Sequence, residues 1–265
     1  EELGGKTPLI VANTPNIDEL ARKGRNGLLV TVPLDMPAGS EIANLGVMGY
    51  DVHEVYEGRG VLEAASMGVE IKEGDLGLRC NLICIESGNI KNHSAGHITS
   101  TEASELIKFL DEKLGSDSVK FYPGVSYRHL LVIKGGKKFL KCTPPHDVPG
   151  TPFRNVMIEP VNNESAETAN LLNDLILKSQ ALLANHPINI KRKELGKDPA
   201  NSIWPWSPGY KPQMPTLSEM YGIGKGAVIS AVDLIQGIGV YAGMEVLKVE
   251  GATGLYDTNY EGKAQ

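Results

Sequence analysis

GKGAVISAVDLIQGIGVYAGMEVLKVEGATG, residues 224–254, reads as a strand, a helix and a second strand. AVIS is apolar and extended, DLIQGIGVY repeats its apolar residues at helical spacing, and MEVLKV returns to a strand pattern. Two strands joined by a crossover helix lie parallel, because an antiparallel pair needs only a hairpin. The stretch therefore predicts an α/β core. Working backwards, the pattern differs over residues 69–200, where DLGLRCNLICIE, VKFYPGVSYRHLLVIKGG and KKFLKCTPP read as short strands with Gly135-Gly136 as the clearest turn. Two long amphipathic helices interrupt them: STEASELIKFLDEKLG, with Ser100 or Thr101 as cap and Gly115 as stop, and ESAETANLLNDLILKSQALLANHP, stopped by Pro187. This predicts an α+β module with its own core, followed by a Pro-rich return linker, NSIWPWSPGYKPQMP, over residues 201–215. The expected division is residues 1–68 for the first part of the core, 69–200 for an inserted α+β domain, and 201–265 for the linker and the βαβ part of the core.

Composition narrows the function classes. A chain of 265 residues with net charge -6 is large enough for two units and too acidic for a nucleic-acid surface, which draws on clustered Lys and Arg. A small anionic ligand needs only a few local cations. No apolar run approaches the ~20 residues of a membrane span. Cys80, Cys84 and Cys142 make an odd count without a secretion signal, which reads as reduced thiols in a cytoplasmic protein. Cys80 and Cys84 share one strand face and read as core thiols rather than a zinc pair, since no second pair accompanies them.

Toward the beginning of the sequence, NIDELARKG after Asn13-Thr14-Pro15 predicts a helix capped by Thr14 or Asn16 and ended by Gly24. GLLVTVPL, residues 27–34, predicts a strand, and MPAGSE leads from it into the short helical pattern IANLGVMGYD. A strand, a turn and a helix N-terminus bring free backbone N–H groups together, which suits a nucleophile that handles an anion. Ser40 sits at that turn, followed by Asn44, Gly46, Gly49 and Asp51.

This stretch, MPAGSEIANLGVMGYD, resembles the phosphoserine loop of the cofactor-independent phosphoglycerate mutases of the alkaline phosphatase superfamily, and most of all their archaeal-type branch. TPNIDELARKGRNGLL, YEGRGVLEAASMGVEI, NHSAGHITSTEA, PPHDVPG and the segment from Gly224 through TNYEGKA are similar to the same branch, in the same order. The resemblance implies an alkaline-phosphatase-like core with the inserted domain closing over a phosphorylated sugar acid. It implies that Ser40 takes the phosphoryl group and returns it to the other hydroxyl, serving as nucleophile and metal ligand at once. It also implies divalent metal ions, manganese or magnesium with zinc as a further option, and no need for 2,3-bisphosphoglycerate. Members of the family begin with a DG-bearing strand and end with an Asp/His-rich segment that carry most metal ligands. Neither is in this sequence, so the expectation is a stretch from the middle of a longer protein, inactive by itself.

The remaining candidates follow from residue type and setting. Asn44 joins Ser40 in the glycine-spaced run as a substrate-binding residue. His93 and His97 are spaced i, i+4, but Gly96 and the Ser/Thr-rich surroundings favour a loop over a metal-ligating helix face; the resemblance implies substrate binding for them, with a capping loop as the plain alternative. Arg128, beside His129, and Arg154 offer bidentate forks for phosphate or carboxylate, or surface salt bridges. Lys225 precedes the βαβ strand between glycines and reads as an active-site cation, or as a solvated loop lysine. Asp233 reads as a helix cap, His146-Asp147 as a structural turn whose side chains diverge, and Trp204 and Trp206 as walls of an interdomain surface. The resemblance points to a mutase between 3- and 2-phosphoglycerate. A homoserine kinase-like phosphotransferase of the same family and a catalytically inactive binding fragment are the rival readings.

Overall fold

The computed structural model describes residues 2–265. The chain begins with helices α1 (Pro8–Val11), α2 (Pro15–Lys23), α3 (Ser40–Val47), α4 (Val52–Val55) and α5 (Arg59–Ser66). Strands β1 (Leu76–Glu86) and β2 (Asn89–Asn92), helix α6 (Ser100–Leu114), and strands β3 (Val119–Tyr122), β4 (Arg128–Ile133), β5 (Leu140–Lys141) and β6 (Glu159–Pro160) follow. Then come α7 (Ala166–Leu183), α8 (Pro187–Glu194), β7 (Ser202–Gly209), α9 (Leu217–Tyr221), β8 (Ala227–Val228), α10 (Asp233–Tyr241), β9 (Glu245–Val246) and α11 (Tyr260–Ala264). The result is a mixed α/β chain.

The middle of the molecule is an antiparallel sheet built around β1. Strand β4 pairs with residues 76–81 of β1 and β7 with residues 77–83, so β4 and β7 flank it, while β3 continues beyond β4 and β2 folds back on the end of β1. Residues 76–84 of β1 are all buried, because α6 and α7 cover one face and α5 the other. Leu78, Cys80, Leu82, Leu106, Leu172 and Trp204 share the main core. Helix α6 is capped by Thr99, one residue before the predicted caps, because Thr99 and Glu102 form a reciprocal capping box. Pro187 opens α8 rather than merely ending α7, as its fixed φ suits a first helical turn.

The Pro-rich segment read as a linker is a buried strand. Ser202–Gly209 forms β7, with Trp204 opposite Asn81 and Pro205 opposite Cys80. Pro205 is tolerated because, among the described residues, β7 pairs only with β1 and leaves its other edge without a ladder.

Helix α5 joins this body to the rest. Val61 and Ala64 pack with Ile71 and Leu130 beneath the sheet, while Leu62 turns toward Ile42, Leu45, Leu234 and Ile238 of α3 and α10. Gly60 permits the approach, since a Cβ there would lie 2.6 Å from the Arg79 backbone nitrogen. The βαβ unit forms as predicted: β8 and β9 are parallel, each of two residues, with α10 between them. The strand predicted over residues 27–34 does not form; Leu28, Leu29, Val30 and Leu34 are exposed. A β-pattern alone does not make a strand without a neighbour to receive its hydrogen bonds, and none pairs with this segment among the described residues.

Candidate active site

Ser40 is the first residue of α3 and is exposed. Gly39 brings the chain in with extended backbone, and the Glu41 carboxylate folds back over it; a Cβ at Gly39 would meet that carboxylate at 2.8 Å. A larger residue there would have to turn that carboxylate aside. No side chain caps the helix, so its first N–H groups stay open to an anion. Asn44 donates its side-chain amide to the Ser40 carbonyl at 2.8 Å, one helical turn away.

Gly39 and Glu41 form one wall of a cavity of about 450 Å³; Arg59 from α5 and His146, Asp147 and Trp206 from the sheet body form others. Glu41 is 7% exposed; one carboxylate oxygen accepts a 3.4 Å hydrogen bond from the Tyr56 hydroxyl, and the other has no partner. Burial and then the Glu41 charge push the Tyr56 hydroxyl up to about 12. Arg59 Nε is likewise buried without a hydrogen bond, and it lies 3.7 Å from the Glu63 carboxylate in an ion pair. The wall of this cavity thus carries a buried carboxylate oxygen without a hydrogen bond beside an arginine that is paired with Glu63.

An edge-to-face chain of rings borders this cavity: Tyr127 to His93 at 5.6 Å, His93 to His146 at 6.0 Å, and His146 to Trp206 at 5.4 Å. Arg128 stands over Tyr127 and Arg79 over Trp206. Arg79 donates to Glu63 at 2.9 Å; burial raises the Glu63 carboxyl and lowers the Arg79 guanidinium, while their attraction opposes both shifts. The His93 imidazole is held below its ordinary value, first by burial and then by His146, His97 and Arg79. His146 Nε2 lies 3.6 Å from Asp147 Oδ1, so the two side chains converge instead of diverging as expected for adjacent residues. The turn folds both toward the same side.

A second cavity, about 460 Å³, lies between the sheet body and the βαβ unit and is lined by Glu63, Arg128, His129, Asp233, Gln236 and Lys248. Asp233 starts α10 after β8, and Lys248 follows β9 by two residues, so both stand at the C-terminal edge of the parallel strands. That edge is where open α/β sheets hold ligands. Lys225 precedes β8 and is therefore at the other end, exposed and lining neither cavity. Arg154 is exposed on a 3-10 turn over Phe153 and lines neither cavity. His97 is exposed; positive φ at Ala95, Gly96 and His97 makes the His93–His97 segment a loop rather than a helix.

Of the predicted residues, Arg128 lines the second cavity and Ser40 lies between two residues that line the first, while Asn44 and His93 line neither; Arg59 and His146 join the first cavity, and Glu63 and Lys248 the second. The position of Lys248 just past a parallel strand could have drawn attention to it. Arg79 could not be found that way, as it lies in the apolar run of β1 and turns inward only because Glu63 of α5 meets it. Cys80 and Cys84 are buried thiols, pushed up by burial to about 12 and about 11. Among the described residues no three His, Cys, Asp or Glu side chains gather in metal-ligating reach, so Ser40 and its neighbours do not by themselves make a metal site.

Along its whole length the chain is similar to known proteins. A mutase from Methanosarcina barkeri, named 2,3-bisphosphoglycerate-independent phosphoglycerate mutase, is 50% identical over 265 residues, covering 100% of this chain and 65% of that protein. A protein from Geobacter sulfurreducens, named as a probable enzyme of the same kind, is 49% identical over 99% of this chain and 65% of its own length. This chain therefore spans about two thirds of the length of the curated relatives it matches. Among solved structures, a protein from Pyrococcus horikoshii matches with a TM-score of 0.73 at 30% identity, over 99% of this chain and 61% of that one. A cofactor-independent phosphoglycerate mutase from Thermoplasma acidophilum matches at TM-score 0.65 and 27% identity, over 95% of this chain and 66% of that one. The family model described as 2,3-bisphosphoglycerate-independent phosphoglycerate mutase matches residues 21–189, and the chain belongs to that family.

Proposed function

We propose that this protein is a phosphoglycerate mutase that moves a phosphoryl group between the 3- and 2-hydroxyls of glycerate through a phosphoserine at Ser40. The observation that carries this reading is the seat of Ser40, exposed at an uncapped helix N-terminus whose neighbours Gly39 and Glu41 line a cavity with Arg59. Family membership supports it. In this reading residues 1–68 and 201–265 belong to an alkaline-phosphatase-like core and 69–200 to the inserted domain. Asn44, His93, His97 and Arg128 face the substrate, and Lys225 and Arg154 join only when the cleft closes. The reading includes a divalent metal for which this chain supplies Ser40 and for which its other residues offer no complete ligand set. It also places the protein in the cytoplasm.

The test is an assay of the full-length protein on 3-phosphoglycerate with manganese or magnesium and without 2,3-bisphosphoglycerate. Turnover, with loss of at least 1,000-fold in Ser40→Ala at unchanged circular dichroism, is the expected result (on the order of the loss of an activated nucleophile). Turnover of homoserine plus ATP in its place would assign the kinase-like activity. No turnover of either would leave a binding role.

A further inference from the structure

We propose that His53 is a positioning residue for the Ser40 loop, tying the segment that enters the loop to the helix that follows α3; its bearing on turnover rests on the mutase reading above. Residues 33–39 lie outside every helix and strand, and Leu34 and Asp35 in them are exposed. A turn hydrogen bond from Met36 N to Pro33 O, 3.1 Å, and the packing of Met36 against the core of α3 and α10 anchor the middle of this stretch. His53 adds a tie from outside it. Its Nε2 forms a 3.0 Å hydrogen bond with Asp35 Oδ2, and its Nδ1 lies 3.4 Å from Asp51 Oδ1 in an ion pair. Asp51 Oδ1 also accepts the His53 backbone N–H at 3.0 Å as the cap of α4, whose Val52 and Val55 are seated in the core with Ile42 and Leu45 of α3. One end of the tie is therefore fixed. The other holds Asp35, five residues before Ser40, so the contact closes the chain around the nucleophile and the whole of α3.

The tie depends on charge. Asp35 and Asp51 are the charged groups that act on the ring, Glu54 follows it on α4, and the face of α4 toward α3 is apolar. The Asp35 hydrogen bond and charge, and to a smaller extent Asp51, hold the His53 imidazole above its ordinary value, and the same contact holds the Asp35 carboxyl below its own. Below the raised value of His53 the imidazolium is drawn to both carboxylates. As pH rises through that value, the neutral ring keeps at most the hydrogen bond and loses the attraction of the two charges. All three side chains are at least half exposed, so water and salt weaken the pair and the expected effect on the loop is modest.

The test follows full-length wild type, His53→Gln, His53→Lys and Asp35→Asn from pH 5.5 to 9, by NMR of the His53 ring and the Gly39 and Glu41 amides and by kcat and KM on 3-phosphoglycerate. In wild type the two amides should move with the midpoint of the ring, and Asp35→Asn should lower that midpoint. His53→Gln should reduce kcat by about 2–5-fold below the midpoint and leave it equal to wild type above, with KM unchanged. His53→Lys, charged across the range, should match wild type at low pH and exceed it at high pH. Amides that ignore the ring, or a His53→Gln kcat equal to wild type at every pH, would each overturn the inference and leave the mutase reading intact. Wild type without turnover would remove that reading, and the amide titration would still decide whether His53 ties the loop.

Discussion

The sheet body and the N-terminal flank contain similar apolar residues and treat them in opposite ways. In the body, nine consecutive residues of β1 are buried and each neighbouring strand finds a partner. In the flank, α1 and α2 have no buried residue, and Leu28 and Leu34 are as open as residues in an extended chain. Hydrophobic content is therefore not what separates the two. What separates them is whether a strand or helix meets a second surface, because an apolar face contributes only when it leaves water. Helix α5 belongs to both sides, one face under the sheet and the other on α10, and the candidate site lies along it.

The comparison breaks most readily at Arg192. This guanidinium is 2% exposed and donates to Ala95 O, Asp198 O and Glu102, joining α8 to the cap of α6 and to the loop that holds His93. Arg192→Ala takes the donor from the Ala95 and Asp198 carbonyls, while Glu102 keeps its bonds from Thr99, and should cost about 2–4 kcal/mol. Urea unfolding followed by tryptophan fluorescence measures it, since Trp204 and Trp206 both lie in β7. A cost below about 1 kcal/mol would mean that the body does not depend on its internal polar ties.

A smaller effect is expected from pH. His129 is buried in β4, accepts the Gly124 N–H at 3.0 Å through Nδ1, and has no partner for Nε2. Burial, with the Arg79 charge, pulls its imidazole down to about 3 from an ordinary 6.5. The unfolded chain therefore takes up a proton that the folded chain refuses. The contribution is fully present above the ordinary value and is lost as pH falls from there toward 3. At pH 5 the loss from this residue should be at most about 2 kcal/mol. Urea midpoints at pH 7.5 and pH 5 should separate in wild type and draw together in His129→Leu; equal separation in both would assign the pH dependence elsewhere.

The same contrast explains what could be read from the sequence. Helices α6 and α7 and strand β1 were legible because their period and their burial agree. The βαβ unit was legible for the same reason, although its strands are only two residues long. β7 was not, because Pro205 and Pro208 signal a loop, and only the position of β7 at the sheet edge makes them harmless. The segment 27–34 carried the right residues for a strand, and a strand is a property of two segments rather than one. At the site, Ser40 was legible as a glycine-flanked residue at a helix start. Glu63 and Arg79 were not, since each is polar in an otherwise buried setting and finds its partner only across the helix–sheet contact.

The least effect is expected where the flank is most open. Leu28 has full exposure, so Leu28→Ser removes no buried area in this structure and should change unfolding free energy by less than about 0.5 kcal/mol. It should also reduce binding of a hydrophobic dye to the same polypeptide, because Leu28, Leu29, Val30 and Leu34 form an exposed apolar run. In a longer polypeptide the same substitution should remain neutral if nothing covers the run. A cost above about 1 kcal/mol there, with none in residues 1–265, would show that the segment packs against further chain, and that the two regions differ only in which neighbours are at hand.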